Sequence, residues 1–348
     1  MQSETKVNKM TDSQPLVSIF TSCRNAEIYL EETLDSITNQ TYRNLEIVIV
    51  DGNSTDKTKS IIEARALKDK RIKWISEPDN DATEGFLKAL NLTSGKYVMF
   101  LAVSDLYIDK KWIEKCVGIL EANKDISLVH GIPANIDENS SIVDIPVFST
   151  LRHPLPSHID FNAFYFATYC YVSELNYCVR RSVYLKCYPT QPVNHPKEDT
   201  KILKSPNPDP FLWFLLNFFK SGYLSAFVPV IACGGRLHST SRNYKFRKYI
   251  KSLQYHYADE IKKSAKLFLS NPNGIQFLDS DSNICKTLNL SESIQFRFKI
   301  FYFKLTNLPM FGPRYTIRFV IYYFIKFLFE NPKNLIQIII KKIKSRLS

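Results

Sequence analysis

None of the seven cysteines, Cys23, Cys116, Cys170, Cys178, Cys187, Cys233 and Cys285, belongs to a Cys-x-x-Cys pair. That absence argues against a zinc ribbon or a disulfide framework, and reduced thiols in a cytosolic protein are expected. The N-terminal stretch MQSETKVNKMTDSQ has no apolar core, so no signal peptide is expected, and the Asn-x-Thr triplets at Asn39, Asn53 and Asn91 read as chance matches. The longest apolar stretch is interrupted by Arg318 and Lys326 and falls short of the ~20 residues that a spanning helix requires. A glycine-rich pyrophosphate loop is missing near the N-terminus, which disfavours a nucleotidyltransferase. No recognised nucleic-acid reader motif accompanies the basic charge.

The chain has 348 residues, of which 45% are hydrophobic. This is enough to bury a real core, in two compact units or in one large domain with an appendage. Its net charge of +12 is unevenly distributed. From Arg242 to Ser348 there are 20 Lys and Arg against 6 Asp and Glu, whereas the preceding residues hold 26 against 28. Such asymmetry points to an anionic partner for the C-terminal third. Without a reader motif, a membrane surface is the expected partner, and no nucleic acid.

Residues 1–14 read as a tail. Short β-rich runs at Val17–Thr21, Leu45–Val50, Ile72–Ile75, Tyr97–Leu101 and Ser127–His130 alternate with stretches of helical spacing at 26–37, 57–67, 83–92 and 110–123. This alternation predicts βαβ units and a mainly parallel, Rossmann-like sheet flanked by helices. Ligands of such sheets bind beyond the carboxyl ends of the strands. The rule singles out Thr21–Asn25, Asp51–Asp56, Glu77–Asp81 and Ala102–Asp105. Asp51 closes an apolar strand, where its carboxylate can accept from a nucleobase or ribose, or serve as a turn or cap residue. Asp105 offers a hard oxygen to a divalent cation that bridges to a diphosphate, or else caps the helix that follows. Asp56 is placed to cap the helix beginning near Lys57.

Several segments resemble family 2 glycosyltransferases. Pro15-Leu-Val-Ser-Ile-Phe-Thr-Ser-Cys-Arg-Asn25 is similar to that family's opening strand, and Leu34-Asp-Ser-Ile-Thr-Asn-Gln-Thr-Tyr42 to its next block. Val50-Asp-Gly-Asn-Ser-Thr-Asp56, Glu77-Pro-Asp79 and Thr93-Ser-Gly-Lys-Tyr97 follow in the family's order over residues 15–130. The resemblance implies a GT-A type α/β fold, a UDP- or GDP-sugar donor, a divalent Mn or Mg ion and inversion at the anomeric carbon. By position it implies that Thr21, Arg24 and Asp51 line the nucleotide, with Asp79 on the nucleotide or its metal. The family's usual Asn-Ser/Ala-Asp-Asp block reads Ala102-Val-Ser-Asp105 here. Asp105 is thereby the expected metal contact, and Ser104 counts with the nucleotide-facing residues. Asp81-Ala-Thr-Glu-Gly85-Phe86 also departs from the family pattern, so the donor sugar does not carry over.

The resemblance further implies a general base ahead of an aromatic helix ending in glycine. Asn207-Pro-Asp209-Pro, before the apolar run 211–219 and Gly222, makes Asp209 that candidate, with Glu198 and Asp199 as fallbacks; Asp209 could equally cap the helix, or do both. Arg236-Leu-His-Ser-Thr-Ser241 is similar to a family block that puts Arg236 on phosphate oxygens and His238 on the metal or diphosphate. Asn176-Tyr-Cys-Val-Arg180-Arg181 resembles a family strand and is assigned to structure.

Residues 15–130 are thus expected to bind the nucleotide sugar and 131–241 to form the acceptor side. Residues 242–348 are expected to be a helical, basic and aromatic extension, with Phe296–Lys304, Arg314–Phe329 and Leu335–Leu347 either lying in a headgroup region or packed on the catalytic domain or a second subunit. The expected activity is metal-dependent transfer of a sugar to a glycan or lipid-linked acceptor in cell-surface polysaccharide synthesis, on the cytoplasmic face of a membrane. The alternative is a non-catalytic glycan- or nucleotide-binding scaffold.

Overall fold

The computed structural model describes residues 14–145, 157–168, 172, 174–188, 210–237 and 247–306. Its first half is the expected alternation: β1 Val17–Cys23, α1 Leu30–Thr38, β2 Leu45–Asp51, α2 Thr58–Lys68, β3 Ile72–Ser76, α3 Ala82–Asn91 and β4 Tyr97–Phe100. These four strands pair in parallel in the order β3-β2-β1-β4. Every residue of β2 is buried, as both faces of a central parallel strand must be. The helices have the amphipathicity that covers it. α1 buries Leu30, Thr33, Leu34 and Ile37 along one stripe, the repeat expected at 3.6 residues per turn.

The second half is mixed. After β5 Leu106–Tyr107 and α4 Trp112–Ala122 come β6 Ile126–Ile136, β7 Ile142–Asp144, α5 His158–Thr168, β8 Tyr177–Arg180, α6 Arg181–Cys187, α7 Pro210–Lys220 and β9 Leu224–Arg236. The sheet continues from β4 as β8-β6-β9-β5, with β7 beside β6. β8 is antiparallel to both of its neighbours, and β9 is parallel to β6. The expected strand at Ser127–His130 is therefore the first part of a longer one. The apolar run 211–219 is helix α7, which ends where Gly222 takes φ +90° and its N–H bonds back to the Phe219 carbonyl at 3.1 Å. A left-handed residue just past a helix costs glycine no Cβ clash.

α8 Arg247–Leu269, the hairpin of β10 Gln276–Leu278 and β11 Ile284–Thr287, and α9 Leu290–Thr306 complete the described chain. α9 is not a free basic helix. Its Phe296 and Ile300 are buried in the core, Phe303 packs edge-on to Phe164 of α5, and Lys299 pairs with the buried Asp160. One face of α9 is therefore packed on α5. Residues 307–348, with the remainder of the extension, lie outside the described residues. No helix among the described residues is long and apolar enough to cross a membrane.

Candidate functional site

The site forms at the carboxyl edge of the parallel strands. Register places Cys23, Asp51 and Ser76 side by side across β1, β2 and β3. Asp51 is fully buried. Its carboxylate accepts from the Ser54 N–H at 3.1 Å, from the Ser54 hydroxyl, and from the Ser76 hydroxyl at 2.7 Å. The turn role open to Asp51 in the sequence is thus realised together with its place at the strand tip. Asp79 follows β3 and lies over two glycines: a Cβ on Gly52 would sit 2.5 Å from Asp79 Oδ2, and one on Gly85 would sit 2.9 Å away. Neither position has room for a side chain while that carboxylate is there.

The electrostatics record the same convergence. Burial pushes the Cys23 thiol up to about 12, helped by the charges of Asp51, Asp56 and Asp79. Burial also raises Asp79 above the usual carboxylate range; Glu84 and Asp81 add to that, and Arg24 and Lys88 oppose it. Arg24 is therefore close enough to balance Asp79 from an exposed position. Thr21 is buried, and its hydroxyl has no hydrogen-bond partner among the described residues. The β1 and β2 loops are sewn together. Asn25, at φ +52°, donates its N–H to Ser54 Oγ at 2.8 Å and accepts from the Thr55 N–H at 2.9 Å. Asp56 accepts from the Thr58 N–H at 2.9 Å and so bonds the first residue of α2, whose N-cap position is Lys57.

At the same carboxyl edge, after β4, lies the turn Ala102–Asp105. Ser104 has φ +101°, a region that residues with a Cβ occupy only when their surroundings compel it. Its N–H donates to Thr33 Oγ at 3.2 Å, and that hydroxyl donates in turn to the Asp105 carbonyl at 2.9 Å. Asp105 Oδ1 accepts from the Arg236 N–H at 2.8 Å. Asp105 does not cap α4, whose N-cap position is Lys111; Asp109 accepts from the Lys111 N–H at 2.9 Å in the turn before it.

Arg236 reaches the turn because β5 pairs with β9, Leu106 opposite Gly234 and Tyr107 opposite Cys233. Its side chain is wholly buried. Nε donates to the Ser104 carbonyl at 2.9 Å. One terminal nitrogen donates to the carbonyls of Asp137 at 2.7 Å and Glu138 at 3.0 Å, and the other to the Glu32 carboxylate and to Ser140 Oγ at 2.9 Å. All five guanidinium N–H bonds are thus engaged, and the Tyr29 ring covers the group at 4.4 Å. The family resemblance put Arg236 on phosphate oxygens; in this structure its partners are protein oxygens.

The structure groups Thr21, Arg24, Asp51 and Asp79 at the ends of β1 to β3, and Ser104, Asp105 and Arg236 at the turn after β4. Asp209 and His238, with the fallbacks Glu198 and Asp199, lie outside the described residues. Sequence reasoning did not single out Glu32, Thr33 or Ser140. The signal for Thr33 was present: a hydroxyl in the buried stripe of α1 must find a polar partner. A divalent ion fits these residues in one way. Asp105 supplies a hard oxygen ligand, but no group of three or more metal-ligating side chains is assembled among the described residues. Ligand oxygens and water would have to complete the shell, as is usual for Mg²⁺ at phosphates.

Residues 18–173 match the family model described as glycosyl transferase family 2. An uncharacterized glycosyltransferase of Haemophilus influenzae is 44% identical over 117 residues, covering 32% of this chain and 35% of the relative. A putative teichuronic acid biosynthesis glycosyltransferase of Bacillus subtilis, TuaG, is 38% identical over 97 residues, covering 28% of this chain and 38% of the relative. Among solved structures, TarS of S. aureus superposes with a TM-score of 0.50 at 15% identity, over 84% of this chain and 44% of that one, a likeness of fold. The alignments span between about a third and a half of the first curated relatives' length. With the family model matched over residues 18–173 and the motif blocks in their order, this part of the chain is similar to glycosyl transferase family 2.

Proposed function

We propose that the chain transfers a sugar from a nucleoside-diphosphate sugar, UDP- or GDP-linked, to a glycan or lipid-linked acceptor, with inversion and with a divalent ion. The observation that carries this reading is the convergence of Asp51, Asp79 and the Ser104-Asp105 turn at the carboxyl edge of one parallel sheet, the place where such sheets bind ligands. Asp51 and Arg24 serve the nucleotide, the first by accepting hydrogen bonds and the second by meeting negative charge from the rim. Asp105 holds Mn²⁺ or Mg²⁺, which when bound offsets the charge of the departing diphosphate. The acceptor hydroxyl attacks the anomeric carbon opposite that diphosphate; the carbon–oxygen bond to the diphosphate breaks, and the hydroxyl proton passes to a carboxylate. Asp209, immediately before α7, is the candidate for that carboxylate. His238, two residues after Arg236, remains the candidate second metal or diphosphate contact.

Polysaccharide synthesis is the proposed setting, supported by the name of the TuaG relative. A place on the cytoplasmic face of a membrane is supported by the C-terminal basic excess. A cavity of about 360 Å³ between α5, α8 and α9 points the same way, because Lys262, Lys266, Arg297 and Lys304 line it above Phe166 and Ile300. The test is incubation of the full-length protein with a panel of UDP- and GDP-sugars and Mn²⁺. Release of nucleoside diphosphate, with the opposite anomeric configuration in the product, is expected. The lone carboxylate of the acidic turn favours a second reading, a scaffold that binds nucleotide or glycan without turnover. Binding of a donor with no metal-dependent hydrolysis or transfer would select it.

A further inference from the structure

We infer that Arg236 is a positioning residue: with Glu32 behind it, it holds Ser104 in its left-handed backbone state and so fixes the Asp105 carboxylate for a cation shared with the donor diphosphate. The inference rests on the proposed donor chemistry for its last clause only. Three observations carry it. Ser104 occupies φ +101° without being glycine, a state that persists only where neighbours over-determine it. Arg236 grips that turn at two points, its backbone N–H on Asp105 Oδ1 at 2.8 Å and its Nε on the Ser104 carbonyl at 2.9 Å. The rest of the guanidinium is anchored on the β6–β7 connection and on α1, through Asp137, Glu138, Ser140 and Glu32. The clamp therefore joins segments more than 90 residues apart in sequence to the one carboxylate of the turn.

Charge supports the same role. An unpaired guanidinium beside Asp105 would compete with a metal ion for the carboxylate. Glu32 pairs with Arg236 and removes that competition, leaving a neutral pair behind the turn. The side chain's complete burial and its five engaged N–H bonds leave no donor to reach a phosphate. A lysine would keep the charge but not the planar fork, and could not serve these acceptors together.

The test uses the full-length protein and two measurements. In the first, UDP and GDP are titrated calorimetrically with and without Mn²⁺. Arg236→Lys is expected to weaken the Mn²⁺-dependent part of the affinity about tenfold, as loss of an outer-shell partner of a metal ligand typically does. Metal-free nucleotide binding should be unchanged, and Ser104→Gly in the same chain should restore part of the loss, because glycine adopts the turn without help. In the second, the ligand-free melting temperature is read for Ser104→Gly in both backgrounds. It should rise more in the wild type, where the strain is enforced, than in Arg236→Lys, where it is released. Arg180→Lys serves as the control: this buried arginine bonds the carbonyls of Ile126 and Asn123 at 2.9 and 3.1 Å, and its replacement should lower the melting temperature without touching the Mn²⁺ gain. Equal melting shifts in both backgrounds would overturn the clamp. Coupled melting shifts without any Mn²⁺-dependent nucleotide binding in the wild type would overturn the metal clause and the donor chemistry on which it rests. An equal loss of metal-free binding in Arg236→Lys would make Arg236 a nucleotide contact instead.

Discussion

The two sides of the site are built by different means. On the Asp51 side, short-range bonds from Ser54 to Asp51 and from Thr58 to Asp56 are joined by bonds across adjacent strands, from Ser76 to Asp51 and from Asn25 to Ser54. At the acidic turn, one local bond, from the Asp105 N–H to the Ala102 carbonyl at 3.1 Å, is joined by remote ones. Ser104 and Asp105 depend on Thr33, 71 and 72 residues earlier, and on Arg236, more than 130 residues later. The difference teaches where robustness lies. The Asp51 side is complete once the neighbouring strands β1, β2 and β3 are paired, whereas the acidic turn also draws on α1, the β6–β7 connection and the end of β9.

That contrast is broken most directly at Asp105. Asp105→Asn should reduce transfer more than about a hundredfold, the order of effect seen when one charge-stabilising group is lost from an active site. The melting temperature should change little, which a thermal melt beside the assay would check. Next in size, Asp209→Asn should lower kcat by about a hundredfold or more while leaving donor KM in place, since a base acts only as the acceptor is deprotonated. Should Glu198→Gln carry that signature instead, the base is misassigned. At the ends of β1 to β3, Asp51→Asn should raise donor KM about tenfold, the scale of one hydrogen bond to a charged group. In calorimetry it should weaken nucleoside-diphosphate binding equally with and without Mn²⁺, unlike Arg236→Lys.

Acid sharpens the comparison between the two halves of the sheet. In the mixed half, burial holds His130 neutral, its pKa lowered from 6.5 to about 3, between the rings of Phe161 and Phe227. The unfolded chain takes up that proton below pH 6.5, so stability should fall as pH drops from 6.5 toward 3, by at most about 1.4 kcal/mol per pH unit. In the parallel half, burial alone would raise Glu46. Its bonds to Lys73, Ser18 and Ser94 instead bring it down from 4.5 to about 2. Its contribution is present above pH 4.5 and is lost only as pH falls toward 2. Acid melts of wild type and His130→Leu should therefore diverge first near pH 6, with the variant flatter. Identical slopes would mean that His130 is not buried and neutral as described.

The smallest expected effect concerns the C-terminal residues. A chain ending after Thr306 keeps α9, whose Phe296 and Ile300 are core. It should lose most salt-sensitive binding to anionic vesicles in co-sedimentation, each basic residue near the surface contributing about 1 kcal/mol. Equal pelleting of both chains would assign residues 307–348 to packing.

How much of this was legible depended on the same local–remote divide. The alternation of β1 to β4 with α1 to α3 could be read from periodicity because each element carries its own pattern, and the loop residues Asp51 to Asp56 lie in one motif. The β8 and β9 pairings could not be read, because antiparallel insertion between β4 and β6 is set by docking and not by the pattern of Tyr177–Arg180. Arg236 illustrates the limit. Its motif placed it at the site, but only the positions of Glu32, Ser140 and the two backbone carbonyls show what the guanidinium bonds. α9 was misleading in the opposite sense, since interleaved Phe and Lys suit a headgroup surface and a half-buried helix alike.

The measurement that tests the central claim most directly is a thermal-shift panel of UDP and GDP, each with and without Mn²⁺, on wild type and Asp105→Asn. At 100 times its dissociation constant a ligand should add about 2.7 kcal/mol of stability. The account predicts stabilisation by one nucleoside diphosphate that grows with Mn²⁺ in the wild type and does not grow in Asp105→Asn. A response indifferent to Mn²⁺, or the same Mn²⁺ gain in both proteins, would contradict it.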